Sequence, residues 1–162
     1  MQQYPHAGTT IKHYAFNNQE RNRTQNNSQV SERAAREIYL RGFGIAVRMA
    51  QPKAVMTSYN LVNGQHTNER TGLLQNILRD EFGFKGIVMT DWIIKGYENE
   101  RDCAYPVSDA SHVCMAGGDL FMPGGQQDYD LVKAGLANGS VTRRQLEINA
   151  TRVLHMAEQL CR

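Results

Sequence analysis

Two hydrophobic periods alternate along this chain. Short apolar runs at Thr9–Tyr14, Ala54–Tyr59, Gly86–Thr90 and Asp119–Met122 predict buried strands. Longer stretches between them carry the helical period. Glu32–Leu40 and Phe43–Ala50 read as helical, with Gly42 and Gly44 weakening the join and Pro52 closing it. Glu69–Phe82 places Leu73, Leu74, Ile77 and Leu78 on one face, with Asn68 as N-cap and Gly83 just past the end. Asp109–Ala116 and Tyr129–Ala137 are further helices. Thr142 with Gln145 forms a capping box that opens a last helix to about Leu160, its apolar side carrying Leu146, Val153, Ala157 and Leu160. The polar stretch Asn17–Ser28 reads as a surface or active-site loop, and Asn63-Gly64 as a turn.

Strands alternating with helices predict an α/β fold with a parallel sheet. The pattern holds about four strand–helix units, whereas a closed (β/α)8 barrel needs eight and typically ~250 residues. The expectation is therefore a partial TIM-type barrel, or a small open sheet.

Composition narrows the function classes. At 162 residues the chain is long enough for one domain and a sizeable core. A net charge of +2 gives no case for nucleic acid or a polyanion. No run approaches the ~20 apolar residues that cross a bilayer, and Met1–Thr10 lacks a basic patch followed by an apolar stretch. Cys103, Cys114 and Cys161 are odd in number and form no CxxC pair, so reduced thiols in a cytoplasmic protein are expected rather than a disulfide framework or zinc site. HExxH, GxGxxG, the Walker loop and a GxSxG setting for Ser58 are all absent from the sequence, so no metal or cofactor is expected.

Chemistry is concentrated where the strands end. The four ends read Lys12-His13, Ser58-Tyr59-Asn60, Asp91-Trp92 and Met122-Pro123-Gly124. In a parallel sheet these ends converge on one rim, the side where α/β folds place ligands. A cation, an imidazole, a phenol, a carboxylate and an indole on one cleft suit a sugar. Each has a plainer reading. An aspartate at a strand end is more often a helix N-cap. His13 alone is more often structural, Met56 more often core, and Trp92 a core anchor as readily as a sugar platform. Asp119 reads as a turn or strand-start residue; His112 and His155 read as structural.

The order of these motifs resembles glycoside hydrolase family 3, which includes many β-glucosidases, from about Thr9 to Leu160. Lys12-His13 followed by Asn17-Asn18-Gln19-Glu20 looks like the family's sugar-binding Lys-His pair. Met56 and Tyr59 match residues flanking that subsite, Asp91 the catalytic nucleophile and Trp92 its neighbouring aromatic. Gly118–Pro123 matches a structural stretch of the same barrel domain. The N-acetylglucosaminidase branch carries a Lys-His-Phe-Pro-Gly-His type motif; Lys12-His13-Tyr14-Ala15-Phe16-Asn17 departs from it and favours β-glucosides.

The resemblance implies a retaining mechanism, with Asp91 kept ionised by a nearby Lys12. It also implies that residues 1–162 are the C-terminal half of the barrel domain, a fragment. The acid/base glutamate of the second domain and an aspartate and arginine of the first half-barrel have no counterpart here. The implied alternatives are an inactive half-barrel remnant, a carbohydrate-binding protein, or an enzyme acting on β-xylosides or arabinosides. A β-glucoside substrate is the expected partner, with no nucleic acid and no membrane. The missing barrel half, the second domain or self-association is expected to cover the open edges, since Val55, Ile87, Val88, Leu120 and Phe121 are expected to lack half of their packing partners.

Overall fold

A computed structural model of the chain describes residues 4, 6–94 and 104–161. In chain order the strands are β1 (Thr10–Tyr14), β2 (Asn27–Ser28), β3 (Ala54–Thr57), β4 (Leu61–Val62), β5 (Gln65–His66), β6 (Ile87–Trp92) and β7 (Leu120–Met122). The helices are α1 (Glu32–Ala34), α2 (Arg41–Ala50), α3 (Ala110–Ala116), α4 (Gln126–Asn138) and α5 (Arg143–Cys161). Ala35–Tyr39 and Gly72–Glu81 wind as π-helix, and Thr67–Glu69 is a 3₁₀ turn.

The expected strands form one sheet in the order β1-β3-β6-β7, every neighbouring pair parallel. Helical segments join them, which is the arrangement of a partial barrel. Ile11, Val55 and Val88 stand in one register row. That row packs against Leu40, Val47, Leu74 and Leu78 of the helical layer, and those four with Val55 and Val88 are wholly buried. Burying each such side chain contributes about 1.5–3 kcal/mol. Val55, Ile87 and Val88 are completely enclosed, contrary to the expectation that they lack partners; only Leu120 and Phe121, on the outer strand β7, stay half-exposed.

The lead-ins to β3 and β6 press together. A Cβ on Gly86 would lie 2.2 Å from the Lys53 carbonyl oxygen, so only glycine fits there.

Several boundaries differ from the sequence pattern. The expected helix over Glu69–Phe82 is a 3₁₀ turn followed by a π-helix, and Asn68 does not cap it: its Oδ1 accepts from Ser108 Oγ at 2.9 Å. The i→i−5 winding puts residues five apart in phase, so Arg79 joins Leu74 on the buried face. Gly42 and Gly44 lie inside α2, where Gly44 lets the Phe82 ring approach. Helix α4 runs from Gln126 to Asn138, longer than expected. The inner face of α5 centres on buried Asn149, whose Nδ2 donates to the carbonyls of Cys114 and Gly118, while Ala157 is exposed.

Asn27–Ser28, within the expected loop, is a strand. It pairs parallel with β4, and β4 pairs antiparallel with β5 across Asn63-Gly64, whose φ angles of 48° and 86° suit a tight hairpin turn. Among the described residues no helix is long and apolar enough to cross a membrane. Cys114 is a buried free thiol and Cys161 an exposed one; Cys103 lies outside the described residues.

Candidate active site

Because the sheet is parallel, the C-terminal ends of β1, β3, β6 and β7 share one rim. The register shifts at two places on it, between Ile11 and Tyr14 in β1 and between Met89 and Trp92 in β6. Such irregularities re-aim side chains beside functional sites. Here they flank Lys12-His13 and Thr90-Asp91. In β6 the gap is closed by a side chain, Thr90 Oγ1 accepting from Met122 N at 2.9 Å.

The two irregular segments face each other through their side chains. His13 Nε2 lies 3.3 Å from Asp91 Oδ2. Asp91 Oδ1 accepts from the Trp92 backbone N–H at 2.7 Å. Tyr59, nearly buried, donates its hydroxyl to the Trp92 carbonyl. The Trp92 side of this group is open, the residue being 49% exposed. Asp91 keeps 7% exposure and Met56 8%. Lys12 is exposed and forms no ion pair among the described residues; the imidazole of His13, not the ammonium of Lys12, is the basic group beside Asp91.

The structure adds residues that spacing did not single out. The guanidinium of Arg23 stacks 4.8 Å from the centre of the Tyr59 ring. Glu20 holds it there, accepting from Arg23 Nη1 at 2.9 Å and from Asn17 Nδ2 at 2.8 Å. The i, i+3 spacing of Glu20 and Arg23, just after the Lys-His strand, was the available signal. His66 has its ring nitrogens 2.9 Å from the Tyr59 carbonyl oxygen and 2.8 Å from that of Pro106. Gln25 exchanges bonds with the Tyr105 backbone, and Asn27 Nδ2 donates to the Tyr105 hydroxyl at 2.8 Å. Together these fasten the segment entering α3 beside the rim.

Ser58, Cys114, Tyr14 and Asp109 are structural. Ser58 Oγ donates to the Ala15 carbonyl at 2.8 Å and meets Thr67 Oγ1, deep in the fold. Burial pushes the Cys114 thiol up, away from reactive thiolate. Burial likewise raises the Tyr14 phenol far above its usual range, and its hydroxyl donates to the Leu73 carbonyl. At the start of α3 burial works to raise the Asp109 carboxyl, but bonds from Ser111 hold it below its ordinary value. His155 is exposed rather than structural, and His112 lies at the surface 3.7 Å from Glu69 Oε2. Among the described residues no three His, Cys, Asp or Glu side chains gather as a metal would require.

The site thus sets a carboxylate between an imidazole and an open indole, with a phenol and a guanidinium beside it. Residues 1–156 match the family described as the glycosyl hydrolase family 3 N-terminal domain. The chain belongs to glycosyl hydrolase family 3. Its relatives in that family include a β-glucosidase of Ruminococcus albus, 44% identical over 147 residues, which covers 90% of this chain and 15% of that protein. An exo-α-(1→6)-L-arabinopyranosidase of Bifidobacterium breve is 40% identical, covering 87% of this chain and 17% of that protein. The solved structure of β-glucosidase 3B from Thermotoga neapolitana in complex with glucose superposes with a TM-score of 0.82 at 36% identity. It covers 93% of this chain and 21% of that one. The chain thus spans less than a quarter of the length of these family 3 proteins.

Proposed function

We propose that these residues form the nucleophile-bearing part of a retaining β-glucosidase that releases terminal, non-reducing β-D-glucosyl residues. Asp91 is the nucleophile. The observation that carries this reading is the setting of Asp91 at the end of β6, its two oxygens steered by Trp92 N–H and His13 Nε2 toward an open rim.

A carboxylate oxygen of Asp91 attacks the anomeric carbon, and the bond to the aglycone oxygen breaks. The product is a glycosyl ester, which water then hydrolyses with net retention. His13 holds the Asp91 carboxylate in line and faces the sugar hydroxyls. Lys12, Met56, Tyr59 and Trp92 bound the glycone subsite, with Trp92 as the ring platform and Arg23 extending the cationic wall. The leaving oxygen needs a proton from a second carboxyl about 5–5.5 Å from the first. We assign that acid/base to the family's second domain, and the remaining sugar contacts to the first half of its barrel. No cofactor takes part. On this reading residues 1–162 are the C-terminal half of the barrel domain. The other half and the second domain are its partners, with self-association as the substitute when they are absent. The free thiols of Cys114 and Cys161 support a reducing, cytoplasmic setting.

A leaving group that needs no proton tests the nucleophile directly. Incubation of the chain with 2,4-dinitrophenyl 2-deoxy-2-fluoro-β-D-glucoside, alone and with the missing segments supplied, should give one stable glycosyl adduct. Peptide mapping should place it on Asp91, and Asp91→Asn should take none. An adduct on another carboxylate would remove Asp91 from its role. Binding of the sugar without any adduct, even with the segments supplied, would favour an inactive carbohydrate-binding half-barrel.

A second reading rests on the 40% identity to the Bifidobacterium breve arabinopyranosidase. The L-arabinopyranoside ring lacks the hydroxymethyl arm of glucose, so the matching fluoro-arabinoside labelling faster than the glucoside would assign the pentose, and the reverse would assign glucose.

A further inference from the structure

The opposite, N-terminal rim of the sheet carries a cavity of about 290 Å3. Its floor is the two lead-ins, Gln51-Pro52-Lys53 before β3 and Lys85-Gly86 before β6. Its lid is one face of α5, Arg152, His155, Met156 and Gln159, at i, i+3, i+4 and i+7.

Charge sets this cavity apart. Lys53, Lys85, Arg152 and His155 line it, and among the described residues no carboxylate does. Two other cavities among the described residues are different. One balances Glu32 and Glu81 against Arg36 and Arg70, and the one beside β7 contains Asp128.

The cations are only partly compensated. Arg152 Nη1 reaches Asp119 Oδ1 at 3.1 Å, but Asp119 is already bonded to Arg79 at 2.6 Å, so one carboxylate serves two guanidiniums. Lys53 Nζ is held at 2.6 Å by Gln159 Oε1, a neutral acceptor that fixes the ammonium without cancelling its charge. Lys85 and His155 are exposed and make no hydrogen bond or ion pair among the described residues. Donors from three separate chain segments therefore face one concavity, where field lines concentrate.

We propose that this cavity binds a phosphate monoester, its phosphoryl oxygens held by Lys53, Lys85, Arg152 and His155. A dianion with several acceptor oxygens matches three cations and an imidazole; a single carboxylate, with one charge and two oxygens, leaves most of them unanswered. The volume lies at the small end of ligand pockets and leaves room beyond a bare phosphate, with Met156 and Pro52 as apolar wall for the carrier. The site is at the far end of the sheet from Asp91, so its occupant does not compete with a glycoside. It ties α5 to the roots of β3 and β6, and so stabilises the fold by mass action.

Isothermal titration calorimetry on the full 162-residue chain, at constant ionic strength set with sodium chloride, tests this. Glucose 6-phosphate and inorganic phosphate should each bind one saturable site, the ester more tightly. Lys85→Gln and His155→Gln should each weaken phosphate binding about tenfold, as loss of one charged hydrogen bond does. Both residues are exposed, so circular dichroism melts should show the fold unchanged. Asp91→Asn should leave phosphate binding intact, which separates this site from the proposed glycoside cleft. No saturable heat with either phosphate overturns the proposal. So does binding that ignores both Lys85→Gln and His155→Gln.

Discussion

Two aspartates lie at opposite ends of the same sheet, and both are nearly hidden. The Asp91 side chain is 9% exposed and the Asp119 side chain 0%. Their surroundings differ in kind. Asp119 accepts from Arg79 Nη2 at 2.6 Å, Val88 N at 2.8 Å and Arg152 Nη1 at 3.1 Å. It bolts the π-helix and α5 to the root of β6. Asp91 has one backbone N–H and one imidazole, and an exposed indole next door. A carboxylate offers about four acceptor positions. Three of those of Asp119 are committed to the fold in a side chain with no solvent exposure, while Asp91 has two partners and retains capacity on its open side. Burial alone therefore does not mark a reactive carboxylate; spare acceptor sites at an open rim do.

The largest effect expected from this contrast is on turnover. In an enzyme assembled around these residues, Asp91→Asn should lower hydrolysis of aryl β-glucosides by several orders of magnitude, since it removes the nucleophile while keeping the side chain's shape. Its unfolding free energy, from urea titration, should stay within about 1 kcal/mol of wild type. Activity near wild type for this variant would end the comparison.

Asp119→Ala should do the reverse. It leaves the buried guanidinium of Arg79 unpaired, and breaking a buried pair this way costs about 3–5 kcal/mol. Urea unfolding monitored by circular dichroism checks it. A loss below ~1 kcal/mol would mean that water or a neighbour already satisfies Arg79.

Next comes the imidazole beside Asp91. His13→Ala removes one charge-assisted contact, about 1.5–3 kcal/mol, so kcat/KM should fall roughly 10–100-fold. Tyr59→Phe deletes the bond to the Trp92 carbonyl, and about 1 kcal/mol corresponds to roughly fivefold. A larger loss for Tyr59→Phe than for His13→Ala would shift the centre of the site toward Trp92.

The contrast between the two aspartates was half visible in the chain itself. The four main strands could be read because apolar runs between turn residues have few other solutions. Their parallel order followed from the helical stretches between them, and it brings His13, Tyr59, Asp91 and Trp92 to one rim. What Asp119 does could not be read. Arg79 is 40 residues away in sequence, and it turns inward only because Gly72–Glu81 winds as π-helix. Leucines at Leu73, Leu74 and Leu78 satisfy either winding, so periodicity does not separate them. β2 was hidden for another reason. Asn27–Ser28 is polar, and it earns its place through backbone pairing with β4 and the Asn27–Tyr105 bond. Arg23 and His66 act through contacts with Tyr59 that exist only once the chain is folded.

A third ion pair sets the lower end of the scale. Arg36 makes a two-pronged bond to Glu81 between the two π-helical segments, Ala35–Tyr39 and Gly72–Glu81, but the side chains are 36% and 43% exposed. Hydrogen bonds from Arg36 hold the Glu81 carboxyl below its ordinary range. A carboxyl depressed in the folded state stabilises the protein fully above its unfolded value, near ~4.3 for glutamate. That contribution is lost as pH falls through the lower, folded value. Glu81→Gln should therefore lower the melting temperature at pH 7 and make little difference near pH 3. Solvent screening keeps the whole effect below about 1 kcal/mol, and added salt should shrink it. The Asp119→Ala loss, shielded from solvent, should survive the same salt. A salt-resistant loss for Glu81→Gln would show that this surface pair is buried by something other than the residues described, and would move it toward the Asp119 end of the comparison.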